Sequence, residues 1–335
     1  MIHRQENPGD EDYPWPINPS RNKFSPYLHV YLRRVLMDGD TDITSTGTVT
    51  SSATVTASST ASLNTYDSYL LGIEGAGPVV DFWWKMHQDF SASASMVNYG
   101  QGTNGGSATG TLVATGGNVS LLTFGQPSLV DTTYDDACVY GGGATWTWFN
   151  ARNIRVDGTQ NFSAGGWYNL PTVADGSLLF RSNLGGTQGD WRGVDIHHPT
   201  AANFLAIVLG KNSEDAGSGA PEYYRLKTPN GSFALNTTHF VVLNVTPTSD
   251  PTTIGLQMFI DGNEQSLSWF AGTATAIGWP VTDSVPDGYN GIGYGALGET
   301  YGGRLEGYWD ELFFHWGHWT QAQVTEAYAR GTQIP

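Results

Sequence analysis

The sequence predicts an all-β sandwich with one short helix at its C-terminal end. Three observations carry that prediction. About sixteen short segments combine strand-forming residues with boundaries of Gly, Asn, Asp and Pro, and almost nothing between them repeats at the helical period. The 335 residues include 43 Gly alongside 12 Trp, 16 Tyr and 14 Phe, a mixture that suits pleated strands and tight turns. The one clear helical pattern lies near residues 320–330, with Gly331 placed as a stop signal.

The chain opens with a different kind of sequence. Residues 1–26 are polar and contain Pro8, Pro14, Pro16, Pro19 and Pro26. Each proline fixes φ and lacks an amide donor, so this density breaks helices and central strands. Residues 27–37 place Leu28, Val30 and Leu32 on one face at period two, then Val35 and Met37 on the other. That pattern fits a bulged strand or a short helix. Residues 42–65 are rich in Ser and Thr, extended by propensity but too small-sided to fill a core. Residues 1–67 are therefore expected to form an extended assembly or anchoring arm, with Pro14, Trp15, Pro16, Tyr27 and Tyr31 as contact residues. Residues 68–335 form the body.

Within the body, strands are expected near 68–74, 79–87, 111–115, 119–124, 137–140, 145–149, 162–169 and 177–181. Others are expected near 193–197, 204–210, 222–227, 239–246, 254–261, 265–270, 290–295 and 304–316. Such even spacing, with so little helix, points to a sandwich rather than an α/β fold.

Several segments also follow the order of a known family. Leu129-Val-Asp-Thr-Thr-Tyr-Asp-Asp-Ala-Cys-Val-Tyr140 joins an acidic turn to a strand, and Phe162-Ser-Ala-Gly-Gly-Trp-Tyr-Asn169 follows. Then come Ser177-Leu-Leu-Phe-Arg-Ser182, His239-Phe-Val-Val-Leu-Asn-Val-Thr246 and Thr253-Ile-Gly-Leu-Gln-Met-Phe-Ile-Asp-Gly-Asn263. Gly307-Tyr-Trp-Asp-Glu-Leu-Phe-Phe314 closes the series. Together these resemble a laminin-G-like, concanavalin A-like jelly roll over about residues 81–330. The resemblance implies a concanavalin-like jelly-roll sandwich in which Asp261-Gly262 makes a positive-φ hairpin turn. It also implies that Asp310-Glu311 ties its strand to a neighbouring loop. The long loops 183–203 and 211–221, and the lack of a cysteine pair, depart from the family pattern. Such a fold serves lectins, glycan-cleaving enzymes and particle proteins alike, so function rests on particular residues.

Charge narrows the choices. Lys and Arg total 15 against 31 Asp and Glu, a formal net charge of -16, which disfavours nucleic acid and anionic membranes as partners. A single cysteine, Cys138, excludes an intrachain disulfide. No apolar run approaches the ~20 residues of a membrane span, and the first residues lack the apolar region of a secretory signal. Synthesis in a host cytoplasm without membrane insertion is the expectation.

Candidate chemistry is sparse. Cleavage of a glycan by paired carboxylates needs both in one groove, roughly 5–10 Å apart. Glu306 and Asp310 share a face of the last strand and Glu311 takes the other, so no catalytic residue is assigned. An alginate-type lyase would gather Arg, His and Tyr on one sheet; His197, His198, Arg225, Tyr308 and His315 are residues of that kind. His315 and His318 stand three apart, which on a strand turns them to opposite faces and argues against zinc. The hard-ion candidates for calcium are Asp131, Asp135, Asp136 and Asp310, unless the Asp135-Asp136 turn merely caps backbone amides. No cofactor is required by any motif. Trp146, Trp148, Trp316 and Trp319 are candidate sugar-stacking residues, with Trp146 and Trp148 on one strand face; core filling is the competing role.

The expectation drawn from the arm, the charge and the lone thiol is a non-enzymatic virion structural protein. It would be a bacteriophage head-decoration, tail or fibre subunit, a homo-oligomer contacting other virion proteins. The alternatives are a glycan-binding adhesion module recognising a host-surface glycan, or a polysaccharide-degrading glycosidase or lyase.

Overall fold

The computed structural model describes residues 65–73, 77–86, 95–100, 112–115, 122–130, 137–145, 148–151, 154, 156–171, 177–182, 193–199, 202–210, 223–272, 276, 277, 279, 292–295 and 304–332. The arm residues Pro14, Trp15, Pro16, Tyr27 and Tyr31 lie outside them. Residues from Thr60 onward belong to one compact unit.

Helix α1 spans Thr65–Leu70. Strands β1 (Phe82–Trp84), β2 (Ser95–Met96), β3 (Leu112–Thr115), β4 (Leu122–Pro127), β5 (Ala137–Thr145) and β6 (Trp148–Ala151) follow. The middle of the chain supplies β7 (Phe162–Asn169), β8 (Ser177–Arg181), β9 (Gly193–His198), β10 (Ala206–Gly210) and β11 (Tyr223–Lys227). Then come β12 (Thr238–Thr246), β13 (Gly255–Ile260), β14 (Asn263–Gln265), β15 (Ser268–Gly272), β16 (Ile292–Gly295) and β17 (Arg304–Trp316), before helix α2 (Gln321–Gly331).

These strands form two antiparallel sheets. Sheet I has eight strands in the order β14-β13-β12-β7-β17-β5-β4, with β1 beside the far half of β17. Sheet II has nine, ordered β15-β11-β10-β9-β8-β16-β6-β3-β2. The pairing of β17 along its 13 residues explains its central place: β7 flanks one edge, and β5 then β1 share the other. The molecule is a β-sandwich of the jelly-roll type, with helix confined to two short segments among the described residues.

The central strands of sheet I are buried on both faces, and their sequence shows why. In β12, Val241, Leu243 and Val245 face the space between the sheets, where Phe162, Phe180, Ile196, Ile207 and Phe314 also pack. The alternate residues Phe240 and Val242 point the other way, against Trp167, Phe259, Phe313 and Trp319. The two helices cover that second cluster through Tyr66, Tyr69 and Leu70 of α1 and Val324 and Ala327 of α2. A strand buried on both sides reads as an unbroken apolar run, as Phe240-Val-Val-Leu243 does.

The strand expected at 68–74 is instead the end of α1. Tyr66, Tyr69 and Leu70 stand at helical spacing, so one helical face delivers all three to sheet I. Gly331 is the last residue of α2 rather than a stop beyond it. A Cβ there would come within 2.3 Å of the Trp167 ring, so glycine is required by packing. Thr320 caps α2 in a reciprocal pair with Gln323, as the Thr-x-x-Gln spacing allows. The segment expected at 265–270 splits into β14 and β15, and the one at 137–140 extends to Thr145. The hairpin turn behaves as the family resemblance implies: Asp261 and Gly262 have φ of 53° and 78°.

Candidate functional site

Asp310 and Glu311 sit where β17 bulges. Glu311 adopts φ of 49°, and the register against β7 jumps between Asp310 and Phe313. The Asp310 carboxylate accepts from Ser128 Oγ at 2.8 Å, Leu129 N at 2.9 Å and Glu311 N at 3.0 Å. It ties β17 to the 128–130 segment, the framework role implied by the resemblance. The neighbouring Glu311 carboxylate accepts from Trp83 Nε1. Among the described residues no group of three or more His, Cys, Asp or Glu side chains is arranged to hold a metal ion. Asp131, Asp135 and Asp136 lie outside the described residues.

The tryptophan candidates divide. Trp319 is 1% exposed and stacks on Phe313, centroids 4.5 Å apart, so it belongs to the second core cluster and not to a sugar platform. Its approach is fixed by polar groups of sheet I: Asn244 Nδ2 donates to Trp319 O at 2.7 Å, and Ser163 Oγ donates to Asn244 Oδ1 at 2.7 Å. Trp316 is half-buried, edge-on to Phe314 at 4.9 Å, and packs against the inter-sheet core. Trp316 and Trp319 therefore serve opposite sides of sheet I. The backbone of Trp148 lies in β6 paired with Gly295 and Thr115, while Trp146 lies outside the described residues.

Histidines also separate. His315 Nδ1 lies 2.7 Å from Asp81 Oδ2, whereas His318 is exposed with Nε2 3.3 Å from Thr246 Oγ1. His198 is buried against the Phe233 ring at 5.4 Å, and burial lowers its pKa to about 4. Next to it, His197 turns to the opposite face of sheet II.

That outer face carries the polar constellation. Along β9, Val194 and Ile196 enter the core, so Asp195 and His197 point outward. Along β11, Tyr224 and Leu226 pack inward, leaving Tyr223, Arg225 and Lys227 outside. Between them, β10 offers small residues outward, since Ile207 and Leu209 face the core while Ala206 and Val208 do not. Register then builds a row across the sheet: Asn150, Gly293, Arg181, Asp195, Val208 and Arg225 are successive cross-strand partners. One level along, His197, Ala206 and Lys227 are partners in the same way.

Ion pairing and ring contacts hold the charged side chains of these strands. Arg181 grips Asp195 with Nε at 3.0 Å from both carboxylate oxygens and Nη2 at 2.6 Å from Oδ2, the forked geometry of a strong pair. Both residues are buried, at 6% and 4% exposure. Burial pushes the Asp195 carboxyl upward in pKa, and the guanidinium pulls it back. The Arg225 guanidinium lies over the Tyr223 ring, 4.2 Å from its centroid. Lys227 Nζ lies 4.8 Å above Phe204 and 5.6 Å from Phe270, which meet edge to face at 5.4 Å. Burial first, then the charges of Arg225, His198 and Arg181, lower the His197 pKa to about 3, so at neutral pH it is an uncharged donor and acceptor. Asn150 is 1% exposed, and its Oδ1 has no hydrogen-bond partner. At the sheet edge Phe270 is 36% exposed and Trp269, opposite Leu226, is 60% exposed.

Of the residues singled out for a sheet-borne lyase site, His197 and Arg225 come together on this face; His198, Tyr308 and His315 do not join them. Arg181, Asp195, Tyr223, Lys227 and Phe270 were absent from the candidates. Their signal was present: Val-Asp-Ile-His in β9 and Tyr-Tyr-Arg-Leu-Lys in β11 both alternate apolar and polar residues at period two.

No protein-family model matches this chain, and no curated protein sequence does. Similar solved structures include the botulinum neurotoxin serotype G binding domain, at TM-score 0.45 and 7% identity over 75% of this chain and 50% of that one. The botulinum neurotoxin serotype D binding domain is similar at TM-score 0.42 and 9% identity, over 75% and 51%. A Trypanosoma rangeli sialidase is similar at TM-score 0.43 and 10% identity, over 77% of this chain and 34% of that one. This chain thus spans about half the length of the toxin domains, and likenesses this distant assign it no function.

Proposed function

We propose that the protein is a glycan-binding adhesion module that uses the outer face of sheet II. One observation carries the reading: Tyr223 and Lys227 of β11 stay half-exposed on that face beside the Phe204-Phe270 pair, over a buried framework in which Arg181 holds Asp195. Sugars are recognised by directional hydrogen bonds to hydroxyls together with an aromatic surface for the ring, and both are present here. Among the described residues, the centre of sheet I's outer face is covered by α1, α2 and Trp319.

The test is titration of the 335-residue protein against a panel of neutral and acidic polysaccharides. Binding to at least one polymer is expected, with Phe270→Ala weakening it by about tenfold while the melting temperature stays near that of the parent. Absence of binding to every polymer sinks the reading.

A cleaving activity is a second reading, favoured by the shared face of His197, Arg225 and Tyr223. Asp195 is the one carboxylate of that face among the described residues, and Arg181 already engages it. Hydrolysis by a carboxylate pair therefore lacks its second member there. Prolonged incubation with a bound polymer is expected to release no new sugar ends.

Placement of such a module on a virus particle, as a homo-oligomer joined through residues 1–67, is a reading of the N-terminal sequence alone. Mass spectrometry of purified particles tests it, and absence of the chain from every particle preparation sinks it.

A further inference from the structure

Beside the helix-covered centre, the outer face of sheet I carries a polar strip at one end of its strands. Register makes Thr123, Tyr140, Tyr308, Asn169 and Thr238 successive cross-strand partners, running from β4 through β5, β17 and β7 to β12. All five point away from the space between the sheets, because residues of opposite parity on the same strands, such as Leu122, Val139, Trp309, Tyr168 and Val241, fill that space. Thr123 is exposed and the other four are half-exposed. One level nearer the centre, Asp310, Trp167 and Phe240 are partners in turn, and they are buried. Strand β7 ends at Asn169 and β12 begins at Thr238, so the strip forms a rim of the sheet there.

The five side chains carry no charge. The Tyr140 and Tyr308 rings lie side by side, centroids 4.8 Å apart and planes tilted by 42°, and together present a shallow aromatic surface. Neither phenol hydroxyl has a hydrogen-bond partner among the described residues. Asn169 Nδ2 donates to Thr238 Oγ1 at 3.3 Å, which orients the amide. Such a surface suits a sugar ring, whose C–H face rests on the phenols while its hydroxyls meet the flanking hydroxyl and amide groups. Shape points the same way. Four steps between neighbouring strands, each about 4.8 Å, make a strip about 19 Å long, closed on one side by the buried level. A stable protein partner needs about 800 Å² on each surface, more than a strip one side chain wide offers. A polysaccharide is itself one ring wide. The formal net charge of -16 disfavours an anionic polymer.

We propose that this strip of sheet I binds an uncharged polysaccharide laid across the strands. Tyr140 and Tyr308 support its rings, and Thr123, Asn169 and Thr238 bond its hydroxyls. The strip belongs to the sheet opposite the Phe204-Phe270 pair, so the two sites stand or fall separately.

The experiment is calorimetric titration of the full chain with a soluble mixed-linkage β-glucan, a galactomannan and dextran, with polygalacturonate as the charged comparison. At least one neutral polymer is expected to bind, and Tyr140→Ala and Tyr308→Ala should each weaken it by about tenfold. A second measurement uses the parent chain, so it decides even where an alanine variant fails to fold. Tyrosines are nitrated with tetranitromethane and located by peptide mass spectrometry. A neutral polymer at about ten times its Kd should slow nitration of Tyr140 and Tyr308 by about tenfold, in the parent and equally in Phe270→Ala. Silence of all three neutral polymers, or binding of polygalacturonate alone, overturns the proposal. Unchanged affinity in both tyrosine variants overturns it too. So does full reactivity of Tyr140 and Tyr308 with a neutral polymer bound, and if Phe270→Ala then abolishes that binding, the glycan belongs to sheet II alone.

Discussion

Trp319 lies flat against Phe313, the ring planes 19° from parallel and the centroids 4.5 Å apart, on the side of sheet I that the helices cover. The contact joins the segment after β17 to the strand itself and leaves the indole 1% exposed. Removal of such a ring forfeits its burial and opens a cavity beneath α2. Trp319→Ala is expected to lower stability by about 3–5 kcal/mol in chemical denaturation. Glycan binding, measured where the variant remains folded, should be unchanged.

Asp310 serves two backbone amides and a hydroxyl at the β17 bulge. Asp310→Asn keeps the shape but presents an amide donor to groups that already donate. A loss of about 2–4 kcal/mol is expected, against about 1 kcal/mol for Ser128→Ala, which removes a single partner. Thermal melts of the two variants should rank in that order, and addition of a calcium chelator should not reproduce the Asp310→Asn effect.

Gly165 marks a close approach of two strands. A Cβ there would stand 1.9 Å from the carbonyl oxygen of Val241, with the Phe313 ring at 3.0 Å. Since the obstacle is backbone in the middle of sheet I, Gly165→Ala is expected to cost more than about 3 kcal/mol, and soluble yield should fall sharply. Gly231→Ala is the contrast: its φ of 85° strains any side chain, but nothing lies within 4 Å. About 1 kcal/mol is expected there.

Acid should destabilise the sheet II side of the sandwich. His197 and His198 have folded pKa values lowered to about 3 and about 4 from 6.5. Between these values and 6.5 the unfolded chain binds more protons, so stability rises with pH across that window and is fully present above it. At pH 5 each histidine accounts for a loss of about 2 kcal/mol relative to pH 8, less for His197 because it keeps some solvent contact. Asp195 works in the other sense. Its raised folded pKa withdraws stability as pH climbs from 3.8 through the folded value, which blunts the histidine effect at the acid end. Melting temperatures from pH 8 to pH 4.5 should fall in the parent, and His198→Asn should flatten the slope.

The parts legible in the sequence are those where one local rule decides. The Asp261-Gly262 turn follows from two positive φ angles, and the apolar run of β12 follows from burial on both faces. The order of strands from β7 to β17 follows from turns at even spacing. Helix α1 escaped because six residues carry too little periodicity to outweigh the strand propensity of Tyr and Leu, and the packing of Tyr66 beneath Trp167 settles the matter from outside the segment. Trp319 reads as a sugar-stacking candidate in the sequence because an aromatic side chain looks the same whether it faces solvent or a third layer. The sheet II row was hidden for another reason. Asn150, Arg181, Asp195 and Arg225 come from strands spread over seventy-five positions, and only the strand register makes them neighbours.

The layer of helices over sheet I has a bearing on how the domain comes apart. α1 and α2 lie at opposite ends of the described chain, yet Tyr66 and Leu70 of the one and Val324 and Ala327 of the other enter the same core cluster. Loosening either end therefore bares the same aromatic layer, and fraying at one end of the chain is felt at the other.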